Sequence, residues 1–440
     1  MAWAAAGNEC FERLGNEPCL SLYYWFKLKR FGLACETSHL LGSGRRRSPF
    51  RECSNAMKTS TKTETSGAKL GVGLLGCGAF GRFCLSEFGA IPGLRAAAVA
   101  DTIPEAARKT GEEFGLPVCA DIHALAACDD VQIIHIATPP STHCELAIAA
   151  LDAGKHVLCE KPLATTLADA RHMIDAARTA RRFLAVNLIM RYDPLNQAVA
   201  RILEAGLLGA PLHAFFENYA GDTPLCPEHW FWKPEISGGI FIEHGVHFFD
   251  LFRMWFGPGE VVAAQQSERP ESGGIIDQVH CTVRYGSVLL ANFYHGFHQS
   301  SRMESQEARI VCERGRIRLF EWVPTRIEID LLANYTDLDA VRRLLPHAEV
   351  EEVARYEGGE RDILARHKSF PVDGRFRLRG GTGMSKQELY GCVVRALLVD
   401  QIRSVDDPQH RRLVSEENGL TSLEIAVEAD ELARKATALT

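Results

Sequence analysis

No stretch of this 440-residue chain approaches the ~18 consecutive apolar residues of a membrane-spanning helix, so a membrane partner is not expected. Positive charge is not in excess either. Forty-nine Lys and Arg stand against 56 Asp and Glu, a net charge of −7, which argues against a nucleic-acid partner. The fourteen cysteines show no paired zinc-type spacing, and no secretory signal precedes them. They read as reduced, mostly buried thiols of a cytoplasmic protein. Internal repeats and low-complexity tracts are lacking. What remains is ordinary globular composition, 46% hydrophobic and 24% charged, with length for two domains.

Residues 1–66 differ from the rest. They hold four cysteines and ten Lys and Arg against six Asp and Glu. The apolar stretch Leu20–Phe26 runs at once into Lys27, Lys29 and Arg30, which is no signal core. Arg45-Arg46-Arg47 lacks the apolar sequel of an export signal. The expectation is a poorly ordered extension, with Met57 a candidate natural start.

From Lys69 onward, short apolar runs alternate with helical periods. Strands are predicted over Lys69–Leu75, Leu94–Ala100, Val131–Ile136, His156–Cys159 and Phe183–Asn187. Helices are predicted from near Ala79, over Pro104–Phe114, over Thr142–Ala153 and over Leu167–Thr179. Such alternation implies a doubly wound parallel sheet with ligands at the strands' C-terminal edge. This first domain is placed at residues 67–190. Beyond it, strands come in quick succession: Leu212–Tyr219, Val261–Glu268, Gln278–Tyr285, Val288–Phe297, Ala308–Glu313, Arg316–Trp322 and Arg326–Leu331. That is an α+β domain, residues 191–440, on a mostly antiparallel sheet, interrupted by one helix over Val246–Phe256. Residues 332–380 are charged and irregular, with a weak helical period at Leu338–Leu345, and read as a lid, a subunit arm or a surface insertion, the insertion being the default. Amphipathic helices at Lys386–Arg403 and Leu420–Ala436 are expected to pack back on the body.

Five constellations carry chemistry. The first strand opens into Gly76-Cys77-Gly78-Ala79-Phe80-Gly81. Gly76 permits a sharp turn, Gly78 lets the backbone approach a pyrophosphate, and Gly81 lets helix and strand pack closely, with the helix N-terminus facing the phosphates. Asp101 ends the next strand. A carboxylate there accepts hydrogen bonds from ribose hydroxyls and repels a 2′-phosphate, so NAD is favoured over NADP. The third constellation, Thr138-Pro139-Pro140 up to His143, is a rigid loop suited to wall the nicotinamide half. For His143, packing at the helix start competes with cofactor contact. The fourth is Glu160-Lys161-Pro162, where the proline biases Lys161 away from helical dihedrals and presents it from a loop. The fifth is the run Ser237–Asp250, in which Glu243 and His247, four apart, share a helix face. A histidine oriented by a carboxylate is a candidate acid/base. A buried, merely satisfied histidine is one alternative there. A metal site of Glu243, His244 and His247 is another, and no metal is expected.

Taken in order, these elements resemble the Gfo/Idh/MocA oxidoreductase family over roughly Lys69–Leu331 plus the C-terminal helices. The motifs that carry the resemblance include GCGAFG, ATPPSTH, AGKHVLCEKPLA, NLIMRYDP, EAGLLGAP and SGGIFIEHGVH. The resemblance implies an N-terminal Rossmann domain and a C-terminal open-faced sheet that makes homodimers or homotetramers. It assigns Lys161 to the nicotinamide ribose and the reacting oxygen, and His247 to acid/base work. It places Arg191 near the cofactor and Trp232-Lys233 on the substrate side. Two departures stand out. Glu243 occupies a position where the family often has aspartate, and residues 332–380 have no evident counterpart.

The expected function is an NAD-dependent oxidoreductase acting on a small-molecule sugar, cyclitol or related polyol. In the oxidative direction His247 would take the hydroxyl proton, Lys161 would stabilise the alkoxide, and Glu243 would orient His247 or hold a neighbouring hydroxyl. The rivals are a non-catalytic NAD-sensing regulator and an NADPH-dependent carbonyl or dihydrodiol-type reductase.

Overall fold

In a computed structural model, residues 70–223 and 225–437 are described. The expected N-terminal extension and the Met57 start lie outside them.

The first sheet has six parallel strands in the order β3-β2-β1-β4-β5-β6. They are β1 (Leu70–Leu75), β2 (Leu94–Ala100), β3 (Val118–Cys119), β4 (Ile133–Ile136), β5 (His156–Cys159) and β6 (Leu184–Val186). Both faces are covered by α1 (Ala79–Gly89), α2 (Pro104–Phe114), α3 (Ile122–Ala126), α4 (His143–Asp152) and α5 (Leu167–Ala180). Burial on both faces explains why these strands read as unbroken apolar runs. The strand order reverses beside β1, so the C-terminal ends of β1 and β4 flank the crevice in which doubly wound folds bind ligands. Pattern reading missed β3 and α3, which are two and five residues long, too short for a period to show.

The second sheet has nine strands, ordered β14-β17-β13-β12-β11-β7-β10-β9-β8. In chain order its elements begin with α6 (Pro194–Glu204), β7 (Pro211–Gly221), the one-turn helix α7 (Pro234–Ser237) and α8 (Val246–Phe256). Then come β8 (Gly259–Glu268), β9 (Ile276–Tyr285), β10 (Leu289–Gln299), β11 (Ser305–Cys312), β12 (Gly315–Phe320), β13 (Arg326–Ala333) and α9 (Tyr335–Leu344). The remainder are β14 (Glu349–Arg355), β15 (Asp362–Ala365), β16 (Lys368–Pro371), β17 (Gly374–Gly381), α10 (Lys386–Asp406) and α11 (Glu416–Thr437). All pairings are antiparallel except β7 with β10.

Residues 332–380 correct the expectation of a surface insertion. β17 pairs with β13, and β14 pairs with β17, so the segment widens the sheet by two strands. The β15–β16 hairpin pairs apart from that sheet. The pattern was masked by charge. In β17, arginines alternate with buried Phe376 and Leu378, and β14 is a largely exposed edge strand rich in glutamate, a composition that discourages further pairing.

The C-terminal helices pack back as expected. Helix α10 meets α1 and the turn at residues 189–192, while α11 meets β8, α8, α5 and β6. Together they tie the two domains to each other.

Candidate active site

The glycine turn is built as its spacing requires. Gly76 has φ +100°, and a Cβ there would fall 2.4 Å from the Ala137 carbonyl oxygen. A Cβ at Gly81 would fall 2.2 Å from the Gly76 carbonyl, so any side chain would force α1 off β1. A Cβ at Gly78 would meet no protein atom. This is the cradle a pyrophosphate needs at a helix N-terminus, so the residues present fit a dinucleotide. Ala79 is buried, and Phe80 packs on Phe83 and Tyr390. Asp101 Oδ2 accepts the Cys77 amide at 2.6 Å and Oδ1 accepts the Ile103 amide at 2.8 Å. The carboxylate is thus fixed at the mouth of the turn with lone pairs still available for hydroxyl donors.

Two further loops meet beside it. Thr138 Oγ1 bonds Thr142 Oγ1 at 2.8 Å, and Thr142 Oγ1 donates to the Pro139 carbonyl, closing the turn that precedes α4. His143 is fully buried, with Nδ1 2.8 Å from the Pro162 carbonyl and Nε2 2.9 Å from the Thr138 carbonyl. Burial lowers its pKa, and the two carbonyls act against that shift. Both ring nitrogens face backbone oxygens, which leaves neither for a cofactor. His143 braces the Thr138 loop against the Lys161 loop. Glu160 is also drawn inward. Its Oε1 receives Asn187 Nδ2 at 2.9 Å and lies 2.8 Å from His135 Nε2.

Lys161, beside a cis bond to Pro162, reaches across to the second domain. Its target is a π-helical turn, Phe241–Gly245, that leads into α8. Such turns recur at functional sites because they displace backbone groups from the regular helix ladder. Lys161 Nζ donates to the Glu243 carbonyl at 2.9 Å and also contacts the Glu243 carboxylate directly. The two side chains are only 12% and 11% exposed, so solvent screens the pair little.

His247 begins the next turn and is buried against Phe248 and Trp322, at ring-centroid distances of 6.3 and 5.7 Å. Burial first, then the Lys161 charge, holds its pKa well below the usual histidine value, so the ring is neutral near pH 7. Its Nδ1 is buried without a hydrogen-bond partner. This corrects the expectation that Glu243 orients His247, because the carboxylate goes to Lys161 instead. His244 bonds His295, Nδ1 to Nδ1 at 3.1 Å, so Glu243, His244 and His247 do not converge as metal ligands would. Among the described residues, Cys84, His135 and Glu160 lie close enough to share an ion. The hydrogen bonds that anchor Glu160 account for two of the three.

The resemblance implies a place near the cofactor for Arg191, and in the structure Asp250 engages its guanidinium. Arg191 Nε and Nη2 donate to Asp250 Oδ2 and Oδ1 at 2.7 and 2.8 Å, a buried fork. Trp232 donates from Nε1 to the Leu225 carbonyl at 3.3 Å, and its ring lies under the Arg269 guanidinium. The half-buried Lys233 precedes α7, which packs against residues 140–142 and so brings this segment to the same edge. Sequence reading missed Asp250, Trp322, Tyr390, His135 and Asn187. Asp250 stood within the run already singled out. Nothing local marked Trp322 or Tyr390, whose rings lie 5.3 Å apart and link Phe80 to His247.

Residues 70–188 match the family described as "Oxidoreductase family, NAD-binding Rossmann fold", and residues 196–318 match the "GFO/IDH/MocA C-terminal domain". The chain belongs to the Gfo/Idh/MocA oxidoreductase family. Among its curated relatives, 1,5-anhydro-D-fructose reductase of Ensifer adhaerens is 34% identical over 178 residues, 40% of this chain and 54% of the relative. An inositol 2-dehydrogenase of Rubrobacter xylanophilus is 35% identical over 191 residues, 43% of this chain and 52% of the relative. The chain thus spans about half the length of these Gfo/Idh/MocA relatives. A solved levoglucosan dehydrogenase, in complex with NADH and levoglucosan, superposes with a TM-score of 0.65 over 83% of this chain and 98% of that one, at 21% identity. At that identity the likeness speaks for the fold. No described helix of this family member is long and apolar enough to cross a membrane.

Proposed function

We propose that this protein transfers a hydride between a nicotinamide dinucleotide, NAD in preference to NADP, and a CH–OH carbon of a sugar, cyclitol or related polyol. The observation that carries the reading is Lys161 from the first domain meeting Glu243 from the second, with His247 one turn further along. Three polar side chains of different chemistry converge at the ligand edge of the first sheet, in a region shielded from bulk water. When bound, the dinucleotide supplies the hydride acceptor. The chain's own part is to hold the pyrophosphate on α1, seat the ribose against Asp101, and set Lys161 beside the developing alkoxide, where a fixed positive charge acts strongly.

The names of the relatives lean the same way, since they act on neutral polyhydroxy compounds as well as on nucleotide-linked sugars. NAD preference rests on the Asp101 carboxylate, which repels a 2′-phosphate. We assign the open face of the nine-stranded sheet to self-association, as a homodimer or homotetramer.

A panel of sugars and cyclitols followed at the NADH absorbance tests the activity. A silent panel from a protein that binds NAD tightly would favour the sensor instead. With an active substrate in hand, Lys161→Ala should lower turnover by ~10²–10⁴-fold and leave NAD affinity, measured by calorimetry, close to wild type. Near-normal turnover of that variant would remove Lys161 from the mechanism.

A further inference from the structure

Where β7 and β10 end and β8 turns into β9, the second sheet holds a cleft of about 480 Å³, lined by Asp222, Arg269, Pro270, Asp277, Gln278 and His298. That is room for one small organic ring. A fixed charge cluster forms part of its wall. Arg269 Nη2 pairs with Asp222 at 2.8 Å, and its Nε donates to Asp277 Oδ2 at 2.9 Å. The same guanidinium lies over the Trp232 ring, 5.4 Å from the centroid, and donates to the Phe297 carbonyl at 3.1 Å. The arginine is thus held in place from several sides, and both carboxylates are set with it. Nearby, the Tyr294 hydroxyl bonds Gln278 Oε1 at 3.0 Å and His298 Nε2 at 2.6 Å.

Charge narrows what the cleft can hold. Two carboxylates stand against one guanidinium, so an anion such as a phosphate meets like charge. A cation gains little, because Arg269 already stands between both carboxylates. A neutral ligand rich in hydroxyls meets neither obstacle. Each hydroxyl both donates and accepts, and the wall offers acceptors on the aspartates, donors on Arg269 and both on Gln278. Bonds to the charged groups are the stronger kind. Capacity is left over as well. The Asp222 side chain is 34% exposed, and Asp277, though buried, has an Oδ1 with no hydrogen-bond partner. Folded proteins rarely leave such an atom unmet.

We propose that this cleft is a sugar subsite separate from the reaction site, and that it takes one neutral polyhydroxylated ring of pyranose or cyclitol size. Hydroxyls of the ring donate to the two aspartates and accept from Arg269 and Gln278. Trp232 connects the two sites. It backs Arg269, and the chain runs on from it through Lys233 into α7, which packs against residues 140–142 at the ligand edge of the first sheet. The ring arrives either as a free sugar or as the distal ring of a glycoside whose other ring reacts.

Calorimetry on the full-length protein without NAD tests the binding. The probes are D-glucose, myo-inositol, maltose and cellobiose, with D-glucose 6-phosphate and D-glucosamine as charged controls. At least one neutral probe should bind wild type and Lys161→Ala alike, and bind Gln278→Leu ~10-fold more weakly. Gln278→Leu leaves the Arg269 ion pairs in place, and its melting temperature confirms that it is folded. Asp222→Asn removes the excess negative charge, so the preference for glucose over its 6-phosphate should shrink ~10-fold. Three results overturn the proposal: no binding by any neutral probe, binding weakened by Lys161→Ala but not by Gln278→Leu, or charged sugars bound by wild type as tightly as neutral ones. Kinetics then identify the source of the ring, and this arm alone rests on the hydride-transfer reading. For a distal ring, Gln278→Leu raises the KM of the disaccharide and spares that of the monosaccharide. For a free sugar, both KM values hold while binding is lost. Equal rises in both would merge the cleft with the reaction site and overturn the proposal. A silent activity panel sinks the hydride-transfer reading and leaves the calorimetry as it stands.

Discussion

Two buried ion pairs fasten the same helical segment to residues that precede the second sheet, and they are built for opposite purposes. Arg191 grips Asp250 with two parallel bonds, and Asn418 from α11 adds a longer contact to the same carboxylate at 3.5 Å. Lys161 meets Glu243 seven residues earlier, through one nitrogen shared between a carboxylate and a carbonyl. A guanidinium keeps its charge at every accessible pH and fixes geometry through its fork. An ammonium is a point charge that can release its proton. On the proposed function the arginine pair is a pin and the lysine pair a working part, a division that residue type suggests once both are seen to be buried.

The comparison breaks most visibly if the pin is pulled. Arg191→Ala leaves the wholly buried Asp250 without its main partner, and should destabilise the protein by about 3–5 kcal/mol, read as a lower urea midpoint. A loss under ~0.5 kcal/mol, the range of ordinary surface substitutions, would show that Asp250 finds water or another partner. The next effect is on rate. Lys161→Arg preserves charge and leaves the pair in place, so the melting temperature should hold. On the proposed function turnover should fall by ~10²–10⁴-fold, because a planar guanidinium does not reproduce the compact ammonium beside the reacting oxygen. An active Lys161→Arg enzyme would reduce Lys161 to a fixed charge like Arg191.

The smallest effect concerns the ground on which Lys161 stands. His143 bonds Pro162 on one side and Thr138 on the other. Asparagine can mimic Nδ1 and glutamine Nε2. His143→Gln should release the Lys161 loop and lower kcat about tenfold, the scale of a sub-ångström misplacement, with the KM for NAD little changed. His143→Asn should do the reverse, raising the KM for NAD through the freed Thr138 loop. Equal losses in both constants for both variants would reduce the brace to packing.

Much of the first domain was legible. Leu94–Ala100, Pro104–Phe114 and His156–Cys159 fall where their local patterns put them, because a strand buried on both faces must be apolar throughout. The glycine turn and Asp101 are local devices, and each glycine's role follows from what a Cβ would strike. Legibility fails where a residue's environment is assembled from afar. Charge hid β14 and β17, since an edge strand is free to be polar. For Arg191 the family resemblance implied a place near the cofactor, and its fork on Asp250 is visible only once the fold brings the two together.

Glu243 shows the division most sharply. By itself the sequence determined that a carboxylate and a histidine share a helix face, that a lysine ends a strand's loop at the ligand edge, and that a dinucleotide fits the turn before it. These follow from periodicity, proline and glycine geometry, which act over a few residues. Tertiary structure alone decided that Glu243 passes over His247, four residues away, for Lys161, which lies 82 residues upstream. A π turn aims the glutamate at the other domain, and burial makes the nearest opposite charge the strongest attraction the carboxylate has.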